Sequence, residues 1–404
     1  MAVFWRYWSA MTISNLGTAV TTVALPLAAV TTLGASAFEV SLVTAASYLA
    51  WLVIGLPAGV IVQRLPLRET QVAMDLIRAV AIGSVPVAWW LDRLTLTHLV
   101  VTALVISLAN VLFDVGNVTF LPSIVSREEL TARNSLVSGT HSATSLGGPS
   151  LAGLVIQVLG AVPTLLIDTV SFLASAVLLR GLPKADAPRE EGRPGMAALI
   201  REGWRFVIGH PVMRTCMFGA TSINLANGAL MALIPVYLIR DLLASPAMVG
   251  LLIAADGAGS LLGAALAPLL VDRLGSARAI MAASFGGGLL ALLMPLGTGV
   301  WGMALFALAN VGFGMGVVVF SIGARTHRQV ASPPELLSRV VATVRFVSWG
   351  AIPLGAIAGG VLASLTDTRT ALLVACGMTL LAPALLWFSK VRHLRELADE
   401  PVPA

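Results

Sequence analysis

Residues 97–120 read THLVVTALVISLANVLFDVGNVTF, an apolar run that contains a single acidic residue, Asp114. A run of this length is long enough to cross a lipid bilayer as an α-helix. It lacks the period-two alternation of a membrane β-strand. The run therefore predicts a membrane-spanning helix, and the rest of the chain repeats this pattern.

The composition fits a chain that lies mostly in lipid. Of 404 residues, 57% are hydrophobic and 11% are charged, whereas soluble domains carry about 25% charged residues. So few charges cannot cover a water-facing surface, which argues against a soluble enzyme. The net charge of +5 comes from scattered residues and not from a basic face, so nucleic-acid binding is not indicated. Cys216 and Cys376 lie in apolar runs, and no disulfide, metal site or cofactor is predicted.

Twelve apolar runs of spanning length follow one another, and a polar linker divides them six and six. The predicted spans are 10–32, 40–62, 71–91, 97–120, 134–159, 162–180, 213–238, 247–271, 277–296, 300–320, 338–362 and 370–389. The predicted organisation is an N-terminal bundle over 1–180, a cytoplasmic linker over 181–211, a C-terminal bundle over 212–389 and a tail over 390–404. Within the linker, residues 196–209 are typical of an amphipathic helix on the membrane surface.

The distribution of Lys and Arg predicts the orientation. With the N-terminus inside, only Arg93, Arg240 and Arg369 of the 25 basic residues face outward. We therefore expect a multi-pass protein of the cell (plasma or inner) membrane with both termini cytoplasmic.

The two halves repeat each other. Residues 40–65 align with 249–274 without a gap, and residues 108–120 align with 308–320, where Leu-Ala-Asn-Val recurs. A six-helix unit duplicated in parallel is the architecture of a large class of secondary transporters, which place the substrate site between the halves.

Three local motifs identify a family. The loop after the second span reads Gly59-x3-Gln63-Arg64-x3-Arg68, and its counterpart reads Asp272-Arg273-x-Gly275-x-x-Arg278. The fifth span carries Gly148-Pro149-x-x-Ala152-Gly153. These motifs resemble the loop and exporter signatures of the major facilitator superfamily, with Gln63 where the family has Asp and Pro268 where it has the leading Gly.

Further motifs resemble the macrolide-efflux and siderophore-exporter branch of that superfamily. They are Ser14-Asn15-x-Gly17, Asp75-x-x-Arg78, Pro122 to Leu130 with Asn134, Asp168-x3-Phe172, Glu202-Gly203-x-Arg205-Phe206 with Pro211, and Pro353-Leu-Gly355. The resemblance implies an all-α major facilitator fold of twelve helices in two pseudo-repeats. It also implies a transporter that moves an amphipathic small molecule outward in exchange for protons. A monomer is expected because nothing in the sequence indicates an obligate oligomer. The substrate class would be an antibiotic, a natural product or a siderophore.

Charged residues in cytoplasmic loops and near the inner helix ends are candidates for a conformational latch that pairs with neighbouring helix ends. They are Arg64, Arg68, Asp75, Arg78, Asp272, Arg273 and Arg278. Asp75 and Arg78 are three residues apart and should share a helix face. The alternative is that these charges only anchor the topology.

Acids within apolar spans are candidates for proton coupling, because an unpaired charge in the membrane is costly. Asp114 is the first choice, since the fourth helix lines the cavity in the fold that the family implies. Asp256 and Asp168 are the others, and Asp168 has a structural alternative as the cap of a neighbouring helix end. Arg345 is a candidate counter-ion, with a snorkelling arginine as the alternative.

Polar and aromatic residues within the spans are candidates for lining the substrate cavity. They are Asn15, Thr18, Thr22, Asn110, Asn117, Asn224, Asn227, Asn310, Trp51 and Trp349. For each of the Asn side chains, a hydrogen bond that joins two helices is an equal alternative to contact with the substrate. In the fifth span, Gly148, Pro149, Ala152 and Gly153 allow another helix to approach closely. Functional alternatives to export are an uptake permease or facilitator for a small metabolite, and a membrane sensor or assembly partner that transports nothing.

Overall fold

The computed structural model describes residues 2–55, 57–63, 65–125, 129–183 and 196–397, and no β-strand occurs in these ranges. The helices of the first half are α1 (Ala2–Thr31), α2 (Ala37–Ile54), α3 (Ala58–Gln63), α4 (Leu67–Trp90), α5 (Leu96–Ile124), α6 (Leu130–Leu159) and α7 (Ala161–Arg180). The later helices are α8 (Met196–Gly209), α9 (Pro211–Arg240), α10 (Pro246–Leu274), α11 (Ser276–Ala291), α12 (Gly299–Ala331), α13 (Pro334–Leu365), α14 (Thr368–Met378) and α15 (Leu381–Trp387), followed by a 3₁₀ turn over Lys390–His393.

Eleven helical stretches within the described ranges are long and apolar enough to cross a membrane. The remaining predicted span, 277–296, is the shorter helix α11 and the turns that follow it. Pro295 explains why this helix stops early, because its ring would clash with the carbonyl of Ala291, four residues before it. The predicted all-helical architecture is confirmed.

Local sequence signals set several helix ends. Ser36 and Glu39 form a capping box at the start of α2, where the Ser36 amide donates to Glu39 at 2.7 Å. Asp367 caps α14 by accepting a hydrogen bond from the Thr370 amide at 2.9 Å. Gly160 has a φ of 85° between α6 and α7, a backbone conformation that favours glycine.

The chain divides into two compact units. The first comprises Met1–Arg193 with Ser245–Ala254, and the second comprises Pro194–Ala244 with Ala255–Ala404. The first unit pairs α1 with α6 and α7, α4 with α5 and α7, and α2 with α5. The second unit pairs α9 with α13 and α14, and α11 with α12.

Each unit has its own apolar core. In the first unit, Tyr7 stacks on Phe120 with 5.6 Å between ring centroids. In the second unit, Cys216, Ile280 and Phe320 pack together. Helix α8 has the bounds predicted for the amphipathic segment, and it packs on α13 and α9.

Candidate functional site

An ion pair is buried inside the first unit. Asp75 and Arg78 lie three residues apart on α4, and their carboxylate and guanidinium are in contact. The two residues are 0% and 3% exposed. The predicted shared helix face is therefore confirmed, and the pair is buried among the packed helices. Its proposed part in a latch remains a prediction.

Arg78 connects α4 to two other helices. It donates a hydrogen bond to Asn110 Oδ1 on α5 at 3.0 Å. Its guanidinium also lies 3.9 Å from the ring centroid of Phe113 and 4.5 Å from that of Phe172, the latter on α7. Such contacts stabilise a cation that has lost its water.

A second carboxylate lies close to this pair. Asp168 on α7 is 0% exposed, and it accepts hydrogen bonds from Thr21 on α1 and from Ser171 at 2.8 Å. Both partners are side-chain hydroxyl groups within helices, and no bond from a helix-end amide to Asp168 is seen in the described part of the chain. A Cβ placed on Gly17 would overlap both Asp168 and Ser171, which explains the glycine in the first-helix motif.

We call Asp75, Arg78, Asn110 and Asp168 the charged cluster. Its residues come from three helices, α4, α5 and α7, and Thr21 of α1 donates a hydrogen bond to Asp168. Arg78 interacts electrostatically with Asp75, Asp168 and Asp114, and the Asp114 side chain is exposed on α5. Within the cluster, the two buried carboxylates of Asp75 and Asp168 thus share one guanidinium. One oxygen of Asp75 makes no hydrogen bond within the described part of the chain.

The other polar residues predicted for the first half lie around this cluster in different environments. Asn15 and Thr18 are half-buried, and Thr22 is exposed with its hydroxyl donating to the Thr18 carbonyl at 2.8 Å. Asn117 accepts a hydrogen bond from the Tyr7 hydroxyl. Trp51 is buried.

The deep acid of the second unit has a different environment. Asp256 on α10 is partly buried, and a Cβ on Gly314 of α12 would lie 2.5 Å from its Oδ1. Asn310, one turn before Gly314 on α12, is buried. No arginine pairs with Asp256 among the described residues, so Arg345 is not seen as its counter-ion.

Arg345 instead lines a cavity of about 460 Å³ between α9, α12 and α13. Its guanidinium lies 4.3 Å from the ring centroid of Trp349, which also lines the cavity, as does Asn224. Asn227 faces elsewhere and its amide lies 3.8 Å from the sulfur of Met231. The structure therefore brings three of the predicted residues of the second half together.

The small residues of α6 allow a close helix contact. A Cβ on Gly153 would lie 2.6 Å from the Pro246 carbonyl oxygen and 2.9 Å from Gly250 Cα at the start of α10. The Pro149 carbonyl oxygen faces Gly250 in turn. Ala152 and Gly148 are buried, with Gly148 against Ala19 of α1. Gly250 was not predicted, because a single sequence does not show which glycine meets the motif.

The loop charges divide into two groups. Arg68 donates to the Leu182 carbonyl at 3.0 Å, just beyond the end of α7. The side chains of Asp272, Arg273 and Arg278 are exposed, and Arg64 lies outside the described residues.

Comparisons with known proteins place the chain in a family. The family described as transmembrane secretion effector matches residues 1–403. The chain is 30% identical over 410 residues to the multidrug efflux pump Tap of Mycolicibacterium fortuitum. This alignment covers 96% of the chain and 96% of Tap. The chain belongs to the major facilitator superfamily. It is a multi-pass membrane transporter of small molecules, and its relatives are transporters and not enzymes.

Solved structures of major facilitator transporters share the fold. The nucleoside transporter NupG matches with a TM-score of 0.78 at 12% identity, covering 96% of this chain and 98% of NupG. A bacterial homologue of the iron transporter ferroportin in its inward-facing state matches with a TM-score of 0.76 at 18% identity, covering 95% and 98%. At such identities the likeness shows the major facilitator fold alone.

Proposed function

We propose that this major facilitator transporter exports an amphipathic small molecule, such as an antibiotic, a natural product or a siderophore, in exchange for protons. It would work by alternating access of its two halves to the two sides of the cell membrane. Both termini would be cytoplasmic, α8 would lie on the membrane surface, and the protein would act as a monomer in the lipid bilayer.

The charged cluster is the observation that carries the proposal. A single guanidinium balances one carboxylate, so the second buried acid adds an uncompensated negative charge unless it binds a proton. The exposed Asp114 lies within electrostatic reach of Arg78 and offers a first acceptor for that proton. Asp168 and Asp75 are the buried acceptors.

Protonation at this position would affect packing as well as charge. Arg78 joins α4 to α5 through Asn110 and to α7 through Phe172, and Asp168 joins α7 to α1 through Thr21. A change in the charge of one acid alters the bonds that hold these helices together. The cluster is thereby suited to linking proton binding to helix movement.

The outward direction is supported by two observations. Tap, the relative at 30% identity, is a multidrug efflux pump. The exporter-type motif of α6 makes a close backbone contact with Gly250.

Accumulation of a probe in cells tests the proposal. A panel of macrolides, dyes and siderophores would be followed in an efflux-deficient bacterial host that expresses the protein, with and without a protonophore. We expect reduced accumulation that the protonophore abolishes, and loss of this effect in Asp114→Asn or Asp168→Asn. Asp92→Asn is the matched control, because Asp92 is exposed in a loop with a φ of 53° that Asn also adopts.

The alternatives give different results in the same assay. A facilitator would tolerate the neutral substitutions and would equilibrate its substrate without regard to the protonophore. An uptake permease would raise accumulation. A sensor or assembly partner would show no flux with any variant.

A further inference from the structure

A long groove runs between α4 and α5 in the first unit. Its volume is about 770 Å³, within the usual range of ligand-binding pockets. Both helices that form it are long and apolar enough to span the membrane. Most of its wall is apolar and comes from Leu76, Ile77, Val80, Val101 and Val105.

One end of the groove is polar. There the Ser84 hydroxyl lies 2.8 Å from His98 Nε2, and Thr95 and Thr97 complete the lining. When Ser84 donates to Nε2, the other ring nitrogen of His98 carries the proton and is a donor. Thr97 is exposed, and its hydroxyl is a second donor. This end of the groove therefore suits a group that accepts hydrogen bonds.

The groove has about the length of one membrane leaflet. Thr97 and Val105 lie eight residues apart on α5, which is about 12 Å along the helix axis. Half of the hydrocarbon core is about 15 Å thick. Trp89 and Trp90, which follow Ser84 on α4 within two turns, are exposed, as is typical of aromatic residues at the membrane–water interface. The polar end thus lies near the lipid headgroups, and the apolar part reaches toward the middle of the bilayer.

The groove is continuous with the surface that the bilayer covers. Val80 on α4 is 73% exposed and Val101 on α5 is 54% exposed, although both lie in apolar spanning helices. Exposed apolar side chains at this depth contact acyl chains. A phospholipid can therefore enter the groove sideways from the bilayer. Its structure also fits the lining, since it joins an apolar chain to ester and phosphate oxygens that accept hydrogen bonds.

From this geometry we infer that the groove binds a phospholipid. One acyl chain lies along Leu76, Val80 and Val105, and the ester and phosphate oxygens accept hydrogen bonds from Thr97 and His98. The site goes beyond the proposed function, because lipid binding requires neither a proton gradient nor a transported substrate.

Photolabelling of the full-length protein tests the inference. The protein is placed in nanodiscs of palmitoyl-oleoyl-phosphatidylcholine that contain a phosphatidylcholine with a diazirine in one acyl chain, and labelled peptides are quantified by mass spectrometry after irradiation. We expect the groove segments of α4 and α5 to be labelled more strongly than the α7 face around Val170 and Val177. Those two residues are 62% and 73% exposed, so lipid contact in proportion to exposure would label them at least as strongly.

Competitors identify the group that is recognised. Lysophosphatidylcholine should displace the probe about tenfold more effectively than hexadecane, because hydrogen bonds to a charged phosphate add to the contact of the chain. Inorganic phosphate should not displace it, because it has no acyl chain. The macrolide erythromycin should not displace it either, because the groove is assigned to lipid and not to an exported molecule.

Variants locate the site. Ala81→Phe places a large side chain in the groove and should lower labelling of α4 and α5 several-fold without changing that of α7. Ala265→Phe is the matched control, since Ala265 is exposed on α10 and labelling of the groove should stay as in wild type. Thr97→Val with His98→Leu should abolish the advantage of lysophosphatidylcholine over hexadecane. Size-exclusion profiles and thermal unfolding check that each variant is folded.

Four results would each overturn the inference. They are labelling that follows exposure alone, unchanged labelling in Ala81→Phe, equal displacement by lysophosphatidylcholine and hexadecane, and displacement by inorganic phosphate or erythromycin. None of these measurements involves transport. The inference and the proposed function can therefore fail separately.

Discussion

Arg78 on α4 donates a hydrogen bond to Asn110 on α5 at 3.0 Å while its guanidinium contacts the carboxylate of Asp75. Asn110 belongs to the Leu-Ala-Asn-Val segment that recurs in the second half at Asn310. In the first half this amide therefore holds a buried cation in place. The charged cluster depends on this contact, since Arg78 is its only base.

Replacing Arg78 should destabilise the protein strongly. Arg78→Gln leaves the buried Asp75 and Asp168 without their cation, and breaking a buried pair in this way costs about 3–5 kcal/mol. Thermal unfolding in detergent measures the effect. Arg93→Gln removes an exposed arginine and should stay within about 0.5 kcal/mol of wild type. A small effect of Arg78→Gln, similar to that of the control, would show that the cluster does not need its base.

A methyl group at Gly17 should disturb the same cluster from α1. Gly17→Ala places a Cβ where Asp168 and Ser171 already lie, and such overpacking typically costs about 1–3 kcal/mol. Gly139→Ala is the matched change in α6, where nothing lies within 4 Å of the new Cβ. It should be neutral or stabilising by up to about 1 kcal/mol. Equal unfolding temperatures for the two variants would argue against this packing.

The close contact of α6 with the start of α10 should be sensitive to one added carbon. In Gly153→Ala the new Cβ would lie 2.6 Å from a backbone oxygen and 2.9 Å from Gly250 Cα, and backbone atoms cannot move aside cheaply. We expect a loss of about 1–3 kcal/mol of stability together with impaired efflux. At Gly147 on the same helix, no atom lies within 4 Å of an added Cβ, so Gly147→Ala should resemble wild type. Unimpaired efflux in Gly153→Ala would contradict a role for this contact.

Glu396, near the end of the described chain, predicts that the stability of the protein depends on pH. Glu396 accepts hydrogen bonds from the backbone amide of Ser276 at 3.0 Å and from its hydroxyl at 2.6 Å, and these bonds lower the pKa of Glu396. A lowered pKa in the folded state stabilises the protein above the unfolded value of about 4.3, and this stabilisation is lost as the pH falls through the folded value.

Glu396→Gln should therefore be less stable than wild type at neutral pH, and the difference should shrink as the pH falls from about 5 to 3. Unfolding temperatures of both proteins across this range measure it, with Asp92→Asn as an exposed control. A difference that stays constant with pH would show that Glu396 does not stabilise the fold through its charge.

Hydropathy was sufficient to predict the helical fold, because each spanning helix needs its own apolar run. It also placed α8 at Met196–Gly209. It did not predict the early end of α11, although Pro295 was a visible signal.

The site was harder to predict because a sequence does not state which helix faces meet. Asp75 and Arg78 were expected to share a face, and they do, yet their burial beside Asp168 depends on the packing of α1, α4 and α7. Arg325 and Arg328 lie near the end of α12 and were not singled out, because only the three-dimensional arrangement places them beside a cavity. The hydrogen bonds that Ser276 donates to Glu396 join residues 120 positions apart and left no local signal in the sequence.

The central claim is that proton flow drives export, and inside-out membrane vesicles test it most directly. An acidic vesicle interior would be established, each member of the panel of macrolides, dyes and siderophores would be added, and proton release would be followed with a pH-sensitive dye. The account predicts that at least one probe accumulates in the vesicles and releases protons, and that Asp168→Asn does neither while Asp92→Asn does both. Accumulation without proton release, or proton release that persists in Asp168→Asn and Asp114→Asn, would contradict it.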